Sequence, residues 1–175
     1  MEFLEISYMN LEPYLTIKIP DHSVSVYAMP QGKNAQYWAR ATLADLLNLP
    51  IAPIETDSLG KPKLPKNLGF ANWSNSGTGC VLAYSKTCEV GIDLEFYRNR
   101  NFSALSKRFF ALNEHTSKAE DFYRFWTCKE AFYKCCGGDF FTVLKTDLSE
   151  FHYLRNFQAP YRENHELALC VVEPQ

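Results

Sequence analysis

The sequence predicts an α+β fold, with hairpins and helices sharing one core. Three observations carry this. Short strand-like runs occur near both ends, apolar residues recur at helical spacing in the segments between them, and the regular strand–helix alternation of a parallel sheet is missing. A chain of 175 residues, 46% apolar, suits one packed unit or two small halves sharing a core.

Taken in order, residues 14–19 and 24–28 read as strands around Pro20-Asp21-His22. Residues 35–48 read as a helix, with Ala39, Leu43, Leu46 and Leu47 on one stripe and Pro50 ending it. A proline-rich passage runs from Pro50 to Pro65. Residues 80–85 and 89–95 read as a hairpin across Lys86-Thr87. A short helix is expected near 103–110 and a longer one over 117–135, stopped by Gly137-Gly138. The chain returns to a strand at Glu166-Leu167-Ala168-Leu169-Cys170-Val171-Val172. No sequence repeat or low-complexity segment is found.

A formal net charge of −2 speaks against a general nucleic-acid binder. No apolar run approaches the ~20 residues a membrane helix requires, and Met1-Glu2-Phe3-Leu4-Glu5 lacks the pattern of a signal peptide. The six cysteines show no CxxC spacing and are expected to be reduced packing residues, which points to the cytoplasm.

The chemistry concentrates in two segments. In Val90-Gly91-Ile92-Asp93-Leu94-Glu95, strand alternation sends Val90, Ile92 and Leu94 to one face and Gly91, Asp93 and Glu95 to the other. Two carboxylates on one face suit a hard, oxygen-loving cation such as Mg²⁺. The second segment is Trp126-Thr127-Cys128-Lys129-Glu130-Ala131-Phe132-Tyr133-Lys134. On a helical wheel, Phe125, Cys128, Phe132 and Cys135 form a core stripe, while Trp126, Glu130 and Lys134 share the opposite face. A tryptophan on that face fits a second element or a ligand packed against it. Each feature alone has a plainer reading: Glu130 and Lys134 as a surface i,i+4 ion pair, and Asp93 and Glu95 as the solvent side of a strand.

Together these segments resemble the 4′-phosphopantetheinyl transferases, specifically the surfactin-synthetase-activating type that also serves siderophore synthesis. Gly91-Ile92-Asp93-Leu94-Glu95 matches the family's G-[IV]-D-x-E, and Trp126 to Lys134 matches [FW]-x-x-K-E-[AS]-x-x-K. Lys107-Arg108-Phe109-Phe110 with Glu114, Gly60-Lys61-Pro62, Asn72-Trp73-Ser74-Asn75-Ser76-Gly77 and the helix led by Arg40 resemble further family elements. One departure stands out: Asn75 occupies the place of the family's usual histidine and can carry no positive charge.

The resemblance implies an α+β phosphopantetheinyl transferase fold of two similar halves in pseudo-twofold arrangement, about 1–79 and 80–175, within a single unit. It implies transfer of 4′-phosphopantetheine from coenzyme A, as co-substrate, to a serine of an acyl or peptidyl carrier protein. Asp93, Glu95 and Glu130 would hold Mg²⁺. Glu130 would take the serine proton, with Glu114 as the alternative, and Lys134 would act beside it on the pyrophosphate. Arg40, Lys61, Ser74, Asn75 and Lys134 would contact coenzyme A. The implied protein is a cytoplasmic monomer with no nucleic-acid or membrane partner. The competing reading is a non-catalytic protein that keeps the fold and binds coenzyme A or a carrier protein. Arg98, Arg100, Lys107 and Arg108 lie in residues 96–113, which contain no acidic residue, and suggest a basic lip for an acidic partner. Phe96, Tyr97 and Phe102 read either as exposed apolar contacts on that lip or as core.

Overall fold

Antiparallel pairing builds two main sheets. In this computed structural model, residues 13–19, 22–30, 33–52, 54–56, 61–149, 154–157 and 165–172 are described. Pro20, Asp21 and Gly60 lie outside them. Strands β1 (Leu15–Ile19), β2 (His22–Ala28), β5 (Phe70–Ser76) and β6 (Gly79–Ser85) form one sheet in the order β1-β2-β6-β5. Strands β7 (Glu89–Phe96), β8 (Leu154–Phe157) and β9 (His165–Val172) form the other, ordered β7-β9-β8. Two short strands, β3 (Glu55–Thr56) and β4 (Pro62–Lys63), pair with each other in the proline-rich passage.

The helices are α1 (Ala35–Leu46), α2 (Phe102–Phe109), α3 (Ala119–Cys136) and α4 (Phe140–Lys145). Asn34, Asn101 and Asp139 cap α1, α2 and α4 by accepting from backbone N–H groups of their first turns. α3 ends at Gly137, whose φ of 72° is left-handed and open to glycine at little cost. No helix among the described residues is long and apolar enough to cross a membrane.

The hairpin expected across Lys86-Thr87 does not form. Both strands exist, but β6 pairs with β2 and β5, while β7 pairs with β9. Ser85 organises the crossing: its hydroxyl donates to the Ser23 carbonyl at 2.9 Å and accepts from the backbone N–H of Cys88 at 3.4 Å. Consecutive apolar strands can lie face to face as readily as edge to edge, and their sequence pattern is the same in both cases. Here Val81 and Ala83 of β6 pack with Val90, Ile92 and Leu94 of β7 and with Leu167, Leu169 and Val171 of β9.

The layers follow from this alternation. α1 covers the outer face of the first sheet through Leu43, Ala44 and Leu82. α3 covers the outer face of the second through Ala131, Cys135, Ala168 and Cys170. The order of connection repeats. The run β2-α1-β5-β6, with its strands ordered β2-β6-β5, recurs as β7-α3-β8-β9 ordered β7-β9-β8, all pairs antiparallel. The change of sheet comes at 86–88. Residues 79 and 80 lie at the start of β6 in the first sheet.

The buried surface of α3 is wider than the predicted stripe. Cys135 is buried, but Phe125, Cys128 and Phe132 are only partly so, whereas Phe122, Tyr123, Thr127, Lys129 and Ala131 are buried. The helix meets the second sheet on one side and an aromatic cluster on another. Trp126 belongs to that cluster, stacked on Phe122 with centroids 6.0 Å apart. Buried Lys129 pairs with buried Glu114 at 2.8 Å.

Candidate active site at the seam between the sheets

β7 is the edge of one sheet and β5 the edge of the other. They lie side by side without a backbone ladder, and side chains from β5 and α3 meet the edge groups of β7 instead. Asn72 Oδ1 accepts from the Ile92 N–H at 3.1 Å, and Ser76 Oγ accepts from the Phe96 N–H at 3.0 Å. The Ile92 carbonyl accepts from Lys134 Nζ at 3.3 Å. Asparagine and serine are poor strand formers, so Phe70–Ser76 carries little strand signal. Their presence makes sense here because the side chains do the work of a ladder.

The same seam holds the carboxylates. Gly91 lets α3 approach the strand: a Cβ there would lie 2.2 Å from the Ala131 carbonyl oxygen and 2.5 Å from the Cys135 nitrogen. Asp93 follows on the same face and is buried. Its Oδ1 accepts from Ser74 Oγ at 2.8 Å and pairs with Lys134 Nζ at 2.5 Å. Lys134 also donates to Ser74 Oγ at 3.1 Å. The lysine therefore closes onto the strand rather than onto its helical neighbour Glu130. Glu95 Oε2 accepts from Ser76 Oγ at 3.1 Å.

Two features mark this cluster as built for positive charge. Asp93 Oδ2 is buried and has no hydrogen-bond partner among the described residues, an expensive arrangement unless something else meets it. Burial, then the charge of Asp93, pushes the Glu130 carboxyl up to about 7, and Glu95 adds to the shift against the opposing pull of Lys134. The Glu95 carboxyl is raised by the same two leading causes, burial and Asp93. Carboxylates that resist ionising together, around an orphaned oxygen, fit a hard divalent cation.

Adjoining clefts surround the cluster. One, of about 320 Å³, is lined by Trp73, Ser74, Asn75, Asp93, Leu94, Glu95, Glu130 and Lys134. A second, of about 390 Å³, shares Trp73, Glu130 and Lys134 with it and includes Lys61, Glu89 and Tyr133. A third begins at Trp73 and Asn75 and reaches Asn34 and Ala35.

The structure thus brings Lys61, Ser74, Asn75, Asp93, Glu95, Glu130 and Lys134 to one continuous region. Lys61 reaches it from the start of β4, salt-bridged to Glu89 at 2.7 Å and donating to the Cys135 carbonyl at 3.0 Å. Arg40 is exposed on α1 and lines none of these three clefts. Glu114 lines a different cleft, engaged by Lys129 and by the Ala111 N–H at 3.2 Å. The roles of Asn72 and Ser76 are not legible in the sequence, because nothing local distinguishes a seam from a loop.

Arg98, Arg100, Lys107 and Arg108 are all exposed. Of the aromatics beside them, Tyr97 and Phe102 pack in the cluster around Phe110 and Phe122, and Phe96 meets the His165 ring edge-on at 5.0 Å. They are core contacts. The large exposed apolar side chains include Leu112 and Phe141.

Comparison with known proteins agrees with this geometry. Residues 89–170 match the model of the 4′-phosphopantetheinyl transferase superfamily. The chain is 34% identical over 157 residues to the 4′-phosphopantetheinyl transferase AcpT of Escherichia coli K12, covering 83% of this chain and 80% of that one. AcpT of Salmonella typhimurium is 30% identical over 142 residues, 74% of this chain and 72% of that one. The 4′-phosphopantetheinyl transferase HetI of Nostoc is 35% identical over a shorter stretch of 94 residues, 46% of this chain and 40% of that one. With the match beginning at β7 and taking in both acidic segments, the chain belongs to the 4′-phosphopantetheinyl transferase superfamily.

Proposed function

We propose that this protein moves 4′-phosphopantetheine from coenzyme A to a serine of an apo acyl or peptidyl carrier protein, releasing 3′,5′-ADP, as a holo-carrier-protein synthase. The observation that carries the reading is the orphaned Asp93 Oδ2 where Glu95, Glu130 and Lys134 converge. Asp93, Glu95 and Glu130 would hold Mg²⁺, which when bound supplies positive charge against the pyrophosphate of coenzyme A.

The chain's own residues do the rest. Glu130 takes the proton of the serine hydroxyl, directly or through water. Glu114, already paired with Lys129, is the weaker candidate. Lys134, held by Asp93, Ser74 and the Ile92 carbonyl, presents a fixed ammonium to the pyrophosphate and the departing oxygen. Lys61 and Asn75 bind the nucleotide phosphates from the adjoining clefts, and Ser74 serves by positioning Asp93. Arg40 completes the nucleotide contacts only if coenzyme A extends beyond the three clefts onto α1.

We take the type to be the surfactin-synthetase-activating one that serves siderophore synthesis, acting as a cytoplasmic monomer built of two similar halves. The support is that one chain supplies both walls of the cleft and repeats one β-α-β-β order.

The test is incubation with Mg²⁺, coenzyme A and a panel of apo carrier proteins, followed by mass spectrometry. Addition of one phosphopantetheine to a carrier serine is the expected result. Nucleotide release with no carrier modified would indicate hydrolysis. Binding without either product would favour the non-catalytic reading, which Asn75 alone recommends.

A further inference from the structure

The close approach that Gly91 permits has a second result, on the side of the helix end. Cys135 and Cys136 are the last two residues of α3, and Cys170 stands opposite Gly91 on β9. Because Gly91 offers no side chain, the end of the helix settles onto β9 at this point. The three Sγ atoms all lie within 4.8 Å of one another. Nothing in the transfer chemistry requires them.

From this geometry we propose that Cys135, Cys136 and Cys170 form a site for one soft, thiophilic d¹⁰ ion, Zn²⁺ being the physiological choice. Thiolates around a tetrahedral Zn²⁺, at ~2.3 Å from the metal, stand roughly 3.8 Å apart, which the cluster reaches with little movement. Cys135 and Cys170 are buried and Cys136 is exposed, so two ligands are held by packing while the third opens an entry path and leaves a position for water. Three thiolates on a divalent ion carry one excess negative charge. Lys61, which donates to the Cys135 carbonyl while paired with Glu89, lies beside it.

The site is separate from the carboxylates in chemistry, since sulfur selects soft ions and the Asp93 cluster offers only oxygen. It borders the same cleft, because Cys135 and Cys136 line the cavity that also contains Lys61, Glu130 and Lys134. An ion there ties the end of α3 to β9 and so fixes the helix that carries Glu130 and Lys134.

The probe is Cd²⁺, titrated into the reduced full chain with a non-thiol reductant present. One equivalent should bind with a thiolate-to-metal charge-transfer band. Cys136→Ser, at an exposed position with no packing to lose, should weaken that binding at least tenfold and keep the native circular dichroism. Cys170→Ser should do the same if it folds. Cys128→Ser and Asp93→Ala should leave the band intact. The proposal is overturned if the wild-type chain shows no such band, if Cys136→Ser retains it at full affinity, or if Cys128→Ser abolishes it.

Discussion

Asp93 has one oxygen held by Lys134 and Ser74 and the other without a partner, and that asymmetry makes replacements there informative. Asp93→Ala removes an oxygen donor and releases Lys134; Glu130→Gln keeps shape and burial but removes charge. Each should lower carrier modification by roughly a hundredfold, judged beside circular dichroism on the same samples. Near-normal transfer in either folded variant would end the assignment of these carboxylates. Protonation gives a second handle. The folded protein raises Glu130 from 4.5 to about 7, so it binds that proton more tightly than the unfolded chain does. Stability without metal is therefore greatest at low pH in this respect and falls as pH rises from about 4.5 towards 7. Glu95, also raised, adds in the same direction. Melting temperatures in chelator should decline over that window, and Mg²⁺ or Glu130→Gln should flatten the decline; a profile indifferent to both would contradict it. At Asn75 the residue is exposed, so the gain from a charged contact is modest. Asn75→His should tighten coenzyme A by about fivefold, on the order of 1 kcal/mol, and dephospho-coenzyme A hardly at all. Calorimetry with both ligands decides, and equal changes would move residue 75 away from the 3′-phosphate.

At the scale of elements, β7 and α3 behave as one device because Gly91 leaves no room between them. Gly91→Ala places a methyl 2.2 Å from a backbone oxygen that cannot swing aside. The variant should lose about 1–3 kcal/mol in urea denaturation and bind Mg²⁺ more weakly, since α3 carries Glu130 away from Asp93 as it shifts. Full stability in that variant would mean that the helix has slack. What the sequence revealed follows the same elements. Period-two alternation in Val90, Ile92 and Leu94 marks β7 and its acidic face, and Glu130 and Lys134 do meet that face, whereas Trp126 turns into the aromatic cluster beside Phe122. The β6–β7 hairpin reading fails, because alternation states which face is buried and says nothing of which strand lies alongside. β5 escaped notice because Asn72, Ser74 and Ser76 look like loop chemistry until the facing strand edge is known. The Lys129–Glu114 pair is hidden because charged residues rarely belong in a core, and the thiol cluster because Cys170 is distant in sequence from Cys135 and Cys136.

For the whole molecule, charge is unevenly spread. The chain carries −2 overall, yet Arg98, Arg100, Lys107 and Arg108 stand exposed within a stretch lacking acidic residues. Arg100 also lines a cleft with Glu95, which ties it to the carboxylate cluster, and Arg108 lies over the Phe109 ring at 5.1 Å. Arg98 and Lys107 are thus the cleaner probes of docking. Arg98→Glu with Lys107→Glu should raise KM for the carrier several-fold and flatten its salt dependence while leaving KM for coenzyme A unchanged. Loss of coenzyme A affinity instead would assign the strip to the nucleotide. The seam between β5 and β7 has a consequence at this scale too. Two sheets that repeat one connection order, joined through 86–88 and fastened along one edge by side chains, resemble two partners tethered by a short leash. Cut at that leash, neither fragment could shield its inner face, since Val24, Val26, Val81 and Ala83 are covered by residues of the other piece. The fragments would fold only by complementation, and each half of the active site would then become an obligate subunit whose activity depends on concentration.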